Sequence, residues 1–140
     1  CPRALRELQR VLRPGGRLAL IWNQRDDAID WVARLTGIVN DAEPPGAPRY
    51  HTGRWRDAFT EAPGLFGPLE EAHFPHVHRL SPEGVVDRIA SVSFVAAMPE
   101  PARTEVLDRV RALLARHPET AGRAELGLAY VTDLFWCERR

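Results

Sequence analysis

The sequence contains no lysine, because all 19 of its basic residues are arginine. This absence excludes a Schiff-base lysine, a lysine general base and the lysine of a phosphate-binding P-loop. With 12 prolines, 10 glycines and many alanines, the bias is typical of a GC-rich genome rather than of selection for guanidinium chemistry. The absence of lysine therefore excludes these lysine-dependent mechanisms but does not indicate a function.

Cysteine is scarce as well. Cys1 and Cys137 form neither a CxxC pair nor a metal-ligand spacing. A disulfide between the two ends is one interpretation, but a reduced, cytoplasmic protein is our expectation. The chain opens at Cys1 without Met and without a signal-like prefix, so we expect a piece cut from a longer reading frame.

Long apolar runs and net charge are also lacking. No apolar run approaches the roughly 20 residues needed to span a bilayer, so we expect no membrane partner. The 19 basic and 19 acidic residues give a formal net charge of zero, which removes any general electrostatic case for binding nucleic acid. A length of 140 residues with 44% hydrophobic residues is typical of one globular domain with its own core.

The first part of the chain has a helix–turn–strand pattern. Residues 2–12 carry apolar side chains at helical spacing, and the helix should end before Pro14. Pro14-Gly15-Gly16 predicts a type II turn with a glycine at positive φ in its third position. The unbroken apolar run Leu18–Trp22 is typical of a strand buried on both faces. This order predicts an α/β protein with a parallel sheet.

We expect one domain over residues 1–140 and no internal repeat. Ser81-Pro82 is typical of a helix start, and Pro75 favours an edge position for a strand over residues 69–79. In the last strand, alternation predicts that Leu126, Leu128, Tyr130, Leu134 and Trp136 share one face. The domain divides into three stretches: 1–23 with the helix, the Pro-Gly-Gly turn and the buried strand; 27–118 as a mostly helical cap with an interrupted strand; and 126–136 as the closing strand.

Polar residues follow the Leu18–Trp22 strand directly, in the segment Asn23–Asp27. Ligands of open α/β sheets bind beyond the carboxyl ends of the strands, and this segment offers amide, guanidinium and carboxylate groups there. A compatible alternative is that Asp26 or Asp27 caps the following helix while Arg25 pairs with an acid.

Three histidines, His73, His76 and His78, suggest a metal site by their spacing. On a strand His76 and His78 share a face while His73 points away, and no further ligand has a supporting spacing. We therefore expect no metal site.

Two other polar or aromatic features receive structural interpretations. Thr132-Asp133, near Tyr130, suggests a polar site on the last strand, but an ordinary sheet position is our expectation. The four tryptophans lack regular spacing, so we expect core or interface packing rather than a stacking platform. They are Trp22, Trp31, Trp55 and Trp136.

The segment Ala4–Gly16, followed by Leu18–Trp22, resembles the late motif of class I S-adenosylmethionine-dependent methyltransferases. In that motif an amphipathic helix ends in Leu-Arg/Lys-Pro-Gly-Gly before the fifth strand. The Trp22-Asn23 ending is similar to the trans-aconitate-methyltransferase-like branch, which acts on small molecules. Weaker similarity to the last helices and strands of that branch continues over Ser81–Val95, Leu107–Pro118 and Leu128–Thr132.

The resemblance implies the C-terminal half of a Rossmann-like methyltransferase sheet with a helical cap. This chain would supply the fifth strand and the closing antiparallel pair, and segments 43–66 and 81–118 would form the cap that shapes acceptor choice. The implied reaction moves a methyl group from S-adenosylmethionine to an oxygen, nitrogen or carbon atom of a small-molecule acceptor.

The same resemblance implies which residues the chain would and would not supply. The family's cofactor-binding elements, a glycine-rich turn after the first strand and an acid ending the second, have no counterpart here, so no cofactor-binding residue is carried over. Trp22, Asn23 and Arg25 correspond to the acceptor side and are the substrate-pocket candidates. No catalytic residue is identified.

The competing class is a non-enzymatic module, either a truncated product or a partner-binding domain that keeps only the cap. In such a module the Leu18–Trp22 strand would present an unpaired edge.

We predict that residues 1–140 alone do not bind S-adenosylmethionine, because the cofactor-binding elements have no counterpart in the sequence. Isothermal titration calorimetry measures this directly. A clear micromolar binding isotherm would contradict the prediction.

Overall fold

A computed structural model describes residues 2–46 and 50–140, apart from the side chain of His51. Cys1 and the end of the proline-rich segment after Glu43, residues 47–49, lie outside the described residues. The predicted α/β class is confirmed. The helices are α1 (Pro2–Val11), α2 (Asp30–Asp41), α3 (Asp57–Glu61), α4 (Pro82–Ala90), α5 (Ser93–Ala96) and α6 (Glu100–Arg116), with 3₁₀ turns at Tyr50–Thr52 and Arg54–Arg56, and the strands are β1 (Arg17–Arg25), β2 (Glu70–Leu80) and β3 (Leu126–Glu138).

The strands form a three-stranded sheet in the order β1-β3-β2. The amide of Asp26 donates to the carbonyl of Ala129 at 3.0 Å, and the amide of Arg139 donates to that of Gly16 at 2.8 Å. Each step forward along β1 thus corresponds to one step backward along β3, which makes the pair antiparallel.

Strands β2 and β3 are antiparallel as well. His73 contacts Asp133 and His76 contacts Tyr130, so residue numbers rise along β2 as they fall along β3. The prediction of a parallel sheet is therefore wrong for neighbouring strands. The central strand β3 comes last in the chain and runs opposite to both of its neighbours.

Strand β1 is covered on one face only. Its burial alternates, with Leu18, Leu20 and Trp22 partly covered, while Ile21 on the other face is 63% exposed. The prediction of a strand buried on both faces is wrong, because no described residues cover the Ile21 face.

The chain forms two compact units, and the first contains Cys1–Asn23, Pro48–Phe74 and Thr132–Arg140. In it, the amide of Gly16 donates to the carbonyl of Arg13 at 2.8 Å. Gly15 has φ +70°, which glycine adopts without a steric penalty. The predicted turn is therefore confirmed, and it reverses the chain from α1 into β1. Apolar side chains of α1, α3 and the strand ends then pack together, including buried Leu5, Ala58, Phe66 and Cys137.

The second unit contains Gln24–Ala47 and Pro75–Val131. Here α6 packs against both α2 and α4. The hydroxyl of Ser81 accepts a hydrogen bond from the amide of Gly84 at 3.0 Å, which confirms the predicted helix start. Fully buried side chains from these helices and from β3 form the core, among them Val32, Leu35, Val85, Ile89, Val110 and Leu128.

Burial along β3 changes from one face to the other. Even-numbered residues are buried over 126–130, but odd-numbered residues are buried over 133–137. Leu134 and Trp136, which alternation places on the same face as Leu126, Leu128 and Tyr130, are only half-buried. The switch places the carboxylate of Asp133 on a buried face.

Cys137 is a free, buried thiol. Burial raises the pKa of this thiol above its ordinary value, which disfavours the reactive thiolate. The predicted choice between a disulfide and a reduced pair involves Cys1, which lies outside the described residues. In the described part of the chain, every helix is too short or too polar to cross a membrane.

We predict that Leu35→Ala destabilises the protein by about 2–5 kcal/mol, because it opens a cavity in a well-packed core. The Leu35 side chain is 0% exposed. Urea unfolding measures the change in free energy. The matched control is Arg34→Ala on the same helix, which removes an exposed ion pair and should cost less than about 1 kcal/mol. Equal losses for the two variants would contradict the assigned core.

Candidate functional site

Three strand residues of the first unit lie side by side across the sheet. The β1–β3 register places Trp22 opposite Asp133. The neighbouring pair agrees with this register, since the hydroxyl of Thr132 donates to the side-chain oxygen of Asn23 at 2.7 Å. On the other side of β3, His73 of β2 contacts Asp133. Three strands therefore present an aromatic ring, a carboxylate and an imidazole on one face.

The carboxylate of Asp133 is held from two sides. The Tyr50 hydroxyl donates to Oδ2 at 2.6 Å, and Nδ1 of His73 lies 2.6 Å from Oδ1. The Asp133 side chain is buried and only 13% exposed, whereas the His73 side chain is 53% exposed. A buried acid is thus fixed by a 3₁₀ turn and by β2, while the imidazole remains open to solvent.

The protonation states follow from these contacts. Burial alone would raise the pKa of Asp133, but the hydrogen bonds from Tyr50 and His73 outweigh it and lower this pKa below its ordinary value. Burial, followed by the hydrogen bond to Asp133, raises the pKa of Tyr50 to about 12. At neutral pH the phenol is therefore a protonated donor and the carboxylate is ionised.

The tautomer of His73 follows from the ionised carboxylate. An ionised carboxylate only accepts hydrogen bonds, so Nδ1 of His73 carries the proton that is shared with Asp133. In the neutral ring, Nε2 then holds a lone pair. Within residues 2–46 and 50–140, Nε2 has no hydrogen-bond partner.

Aromatic rings surround this carboxylate. The Trp22 ring lies 4.7 Å from that of Tyr50 and 4.9 Å from that of Trp55, and the Trp55 ring lies 4.8 Å from that of Phe135, between centroids. We call Trp22, Tyr50, Trp55 and Phe135 the aromatic cluster. At these separations the four rings pack against one another.

Charged and polar groups border the aromatic cluster. The guanidinium carbon of Arg56 lies 4.4 Å from the centroid of Trp55 and 4.7 Å from that of Phe135, within the range of cation–π attraction. Arg56 also pairs with Glu71 at 3.4 Å. The indole nitrogen of Trp55 is buried and has no hydrogen-bond partner among the described residues.

The three predicted pocket residues do not lie together. Trp22 belongs to the aromatic cluster, but Asn23 is on the opposite face of β1, where it pairs with Thr132. Arg25 lies in the second unit, and its Nε donates to Thr36 at 2.9 Å. Burial lowers the pKa of this guanidinium. The strand alternation separates Trp22 from the other two residues.

For the segment Asn23–Asp27, the alternative interpretation was that Asp26 or Asp27 caps the next helix and that Arg25 pairs with an acid. This interpretation is wrong in detail. Arg25 pairs with the hydroxyl of Thr36 rather than with an acid. Asp26 accepts a hydrogen bond from the amide of Ala28 at 3.1 Å, so it stabilises the turn before α2. The N-cap of α2 is Ile29, which has no side-chain cap.

Sequence reasoning missed Tyr50 and assigned Asp133 no role. The interpretation of Asp133 as an ordinary sheet position is wrong, because its buried carboxylate is bonded by two other side chains. The signal that was available is an acid in a strand with apolar residues on both faces. Nothing in the local sequence relates Tyr50 to this acid, since they are 83 positions apart.

The three histidines have separate surroundings. His73 bonds to Asp133, while the ring of His76 stacks on Tyr130 with centroids 5.4 Å apart. No group of three or more metal-ligating side chains occurs among the residues that the structure describes.

The second unit has a cleft of its own, with a volume of about 560 Å³. The buried imidazole of His117 lies there with Nε2 2.8 Å from the carboxylate of Asp30. None of the predicted pocket residues lines this cleft. It is bordered by Asp30, Arg34, Ala112, Leu113, Arg116, His117, Pro118 and Glu119.

Known proteins resemble this chain over nearly its whole length. It is 40% identical over 131 residues to the uncharacterized methyltransferase Rv3342 of Mycobacterium tuberculosis. This alignment covers 93% of this chain and 49% of that protein. It is 30% identical over 137 residues to the uncharacterized methyltransferase-like C25B8.10 of Schizosaccharomyces pombe, which covers 97% of this chain and 52% of that protein. The chain is similar to proteins named methyltransferases. It spans about half the length of these relatives.

Other comparisons add little. No protein-family model matches the chain. The match to a solved structure from Bacillus halodurans C-125 spans 98% of this chain and 62% of the solved chain, with 17% sequence identity and a TM-score of 0.43. A likeness at that level carries no functional argument.

The described residues do not fit S-adenosylmethionine, the methyl donor that methyltransferase relatives imply. The sequence has one pair of adjacent glycines, Gly15-Gly16, and it leads into β1 rather than into a helix. The amide of Gly16 is already used by the carbonyl of Arg13. This turn therefore offers no cradle of the kind that binds nucleotides.

We predict that Tyr50→Phe lowers stability near neutral pH by about 1.5–3 kcal/mol, because it removes a hydrogen bond to a charged carboxylate. The lowered pKa of Asp133 fixes the pH dependence. The stabilisation is complete above the ordinary carboxyl value of 3.8 and is lost as pH falls through the lower folded value. Urea unfolding at several pH values from acid to neutral measures it.

The matched control is Tyr130→Phe. The Tyr130 hydroxyl is buried without a partner among the described residues, so its removal loses no hydrogen bond. We expect a small change for this variant, with no dependence on pH in the acid range. A pH-independent loss for Tyr50→Phe would contradict the assigned contact.

Proposed function

We propose that this chain is the acceptor-binding, C-terminal half of an S-adenosylmethionine-dependent methyltransferase that acts on a small molecule. The observation that carries the proposal is the 40% identity over 93% of the chain to a protein named as a methyltransferase. The strand order β1-β3-β2, with a central antiparallel strand, supports it. This is the arrangement that the resemblance implies for the fifth strand and the closing pair of a Rossmann-like sheet.

The aromatic cluster is the acceptor-binding surface in this proposal. Trp22 and Trp55 are only partly buried, so their rings are accessible to a ligand. Arg56 places a positive charge beside the rings. Ligand sites in proteins typically combine apolar walls with a few placed polar groups. Trp22, which lies within β1, thus keeps the acceptor-side role that the resemblance implies.

Asn23 and Arg25 have a weaker case than Trp22. Neither belongs to the aromatic cluster, and each already has a side-chain partner. We retain them as acceptor-side candidates on the strength of the resemblance alone. Segments 43–66 and 81–118 are likewise proposed as the cap. S-adenosylmethionine would be held by the part of the relatives that this chain does not match, because the described residues provide no cradle for it.

A partner-binding module without catalysis is the second candidate. The exposed apolar side chains of Ile21, at 63%, and Val11, at 65%, favour it, since they lie on the first unit without cover. An uncovered sheet face beside an edge strand is a surface that other chains can pair with. The two candidates differ in whether methyl transfer occurs once the missing half is supplied.

A joined protein tests the proposal. This chain is fused to the half of the Mycobacterium tuberculosis relative that it does not match, and calorimetry measures S-adenosylmethionine binding. We expect binding by the joined protein, and transfer of a tritiated methyl group to members of a panel of small hydroxyl, amine and carboxyl compounds. Each half alone should transfer none. A folded joined protein that binds the donor and methylates nothing would favour the partner-binding module.

Within that joined protein we predict that Trp22→Ala weakens acceptor binding by about tenfold to a hundredfold, since it removes a large contact surface from the aromatic cluster. Donor affinity should stay unchanged. Trp136→Ala is the matched control, because Trp136 is half-buried and has no contact with the aromatic cluster. Acceptor KM, measured at saturating donor, reports the difference.

A further inference from the structure

A solvent-open imidazole bonded to a buried carboxylate has a chemical use beyond packing. His73 offers the lone pair of Nε2, while Nδ1 is engaged by Asp133 at 2.6 Å. The ring orientation is fixed from a second side by Phe135, which meets it edge-on with centroids 6.4 Å apart. An imidazole held in one tautomer with one free nitrogen is the arrangement of a general base.

We propose that Nε2 of His73 removes a proton from a hydroxyl group of the acceptor, with Asp133 as the positioning residue. This deepens the acceptor site and rests on the proposed function. In the step, the acceptor O–H bond breaks and an N–H bond forms at Nε2. The electron pair of the broken bond stays on oxygen, which becomes the nucleophile. The imidazolium is stabilised by the ionised carboxylate of Asp133.

Tyr50 keeps the charges of this group in place. Its hydroxyl donates to Oδ2 of Asp133, so the carboxylate stays ionised and the proton between Asp133 and His73 remains on Nδ1. Without the phenol the carboxylate would be more basic and would attract the Nδ1 proton of His73 more strongly. Tyr50 is therefore a positioning residue as well.

The presence of a base indicates the acceptor class. A carboxylic acid has a pKa near 4 and is already ionised at neutral pH, so it needs no base to become a nucleophile. An alcohol or phenol keeps its proton and needs one removed. The aromatic cluster, with Trp22 and Tyr50 beside Asp133, favours a planar acceptor. We therefore assign a phenol-like hydroxyl compound rather than a carboxylate.

Two other charged side chains, Arg56 and Glu71, belong to the surroundings of His73. Arg56 and Glu71 face the same carboxylate and phenol, and they pair with each other at 3.4 Å. Their charges compensate, so Asp133 is the net charge that acts on the imidazole. Asp133, Tyr50, Arg56 and Glu71 are the charged or titratable groups in the surroundings of His73.

The test uses the whole 140-residue chain and 4-nitrophenol, whose absorbance distinguishes the phenol from the phenolate. Below the pH at which the free probe ionises, we expect the bound probe to be ionised, because Nε2 takes its proton. 4-Nitroanisole has no proton to give and serves as the ligand control. Binding without ionisation, or no binding, would overturn the proposal.

Matched variants assign the effect to single atoms. His73→Gln keeps a donor for Asp133 but lacks a basic nitrogen, so the bound probe should stay protonated. His78→Gln makes the same substitution at an exposed histidine of β2 that does not contact Asp133, and ionisation should persist. Asp133→Asn should favour the Nε2–H tautomer, which long-range ¹⁵N NMR detects, and the bound probe should again stay protonated. Ionisation that persists in His73→Gln would overturn the proposal.

The joined protein gives an independent measurement. With a phenol acceptor, His73→Gln should lower methyl transfer by about 10²–10⁴-fold, the usual contribution of a general base. With a carboxylate acceptor the variant should have no effect. Failure of the joined protein to bind S-adenosylmethionine would remove the proposed function but leave the 4-nitrophenol result intact, so the two failures are distinguishable.

Discussion

The buried carboxylate of Asp133 is the constraint on which the first unit depends. An ionised group away from water is costly unless it is paired and hydrogen-bonded. Asp133 meets that requirement through Tyr50, which comes from a 3₁₀ turn, and through His73, which comes from an edge strand. The contacts join a 3₁₀ turn and an edge strand to the central strand β3. The aromatic cluster then packs around the paired charge.

Local patterns predicted the regular elements well. The start of α4 follows from Ser81-Pro82, and the Ser81 hydroxyl accepts a hydrogen bond from the amide of Gly84 as that pattern predicts. The Pro14-Gly15-Gly16 turn follows from backbone chemistry alone, and Gly15 has the positive φ that it requires. Such features depend on neighbours within a few residues, which a single sequence displays.

Burial that depends on residues far away in the sequence was not predictable in the same way. Leu18–Trp22 has the composition of a strand buried on both faces, yet its Ile21 face is open among the described residues. Alternation along β3 is regular, but which side is buried depends on what packs there. The candidate site shares this dependence: Trp22, which lies within β1, was identified through the family resemblance, whereas Tyr50 and Asp133 are brought together only by the fold.

The change of buried face along β3 also protects its pairing. In a sheet, a slip by one residue moves every side chain to the opposite face. In most strands with one apolar face, such a slip exposes the apolar side chains and buries the polar ones. In β3 it would expose the even-numbered apolar residues over 126–130 and would also turn Asp133 away from both of its donors. Errors in strand alignment are thus penalised twice, once by lost apolar burial and once by an unpaired charge. The residue that we assign to positioning chemistry therefore also selects the correct alignment of the central strand.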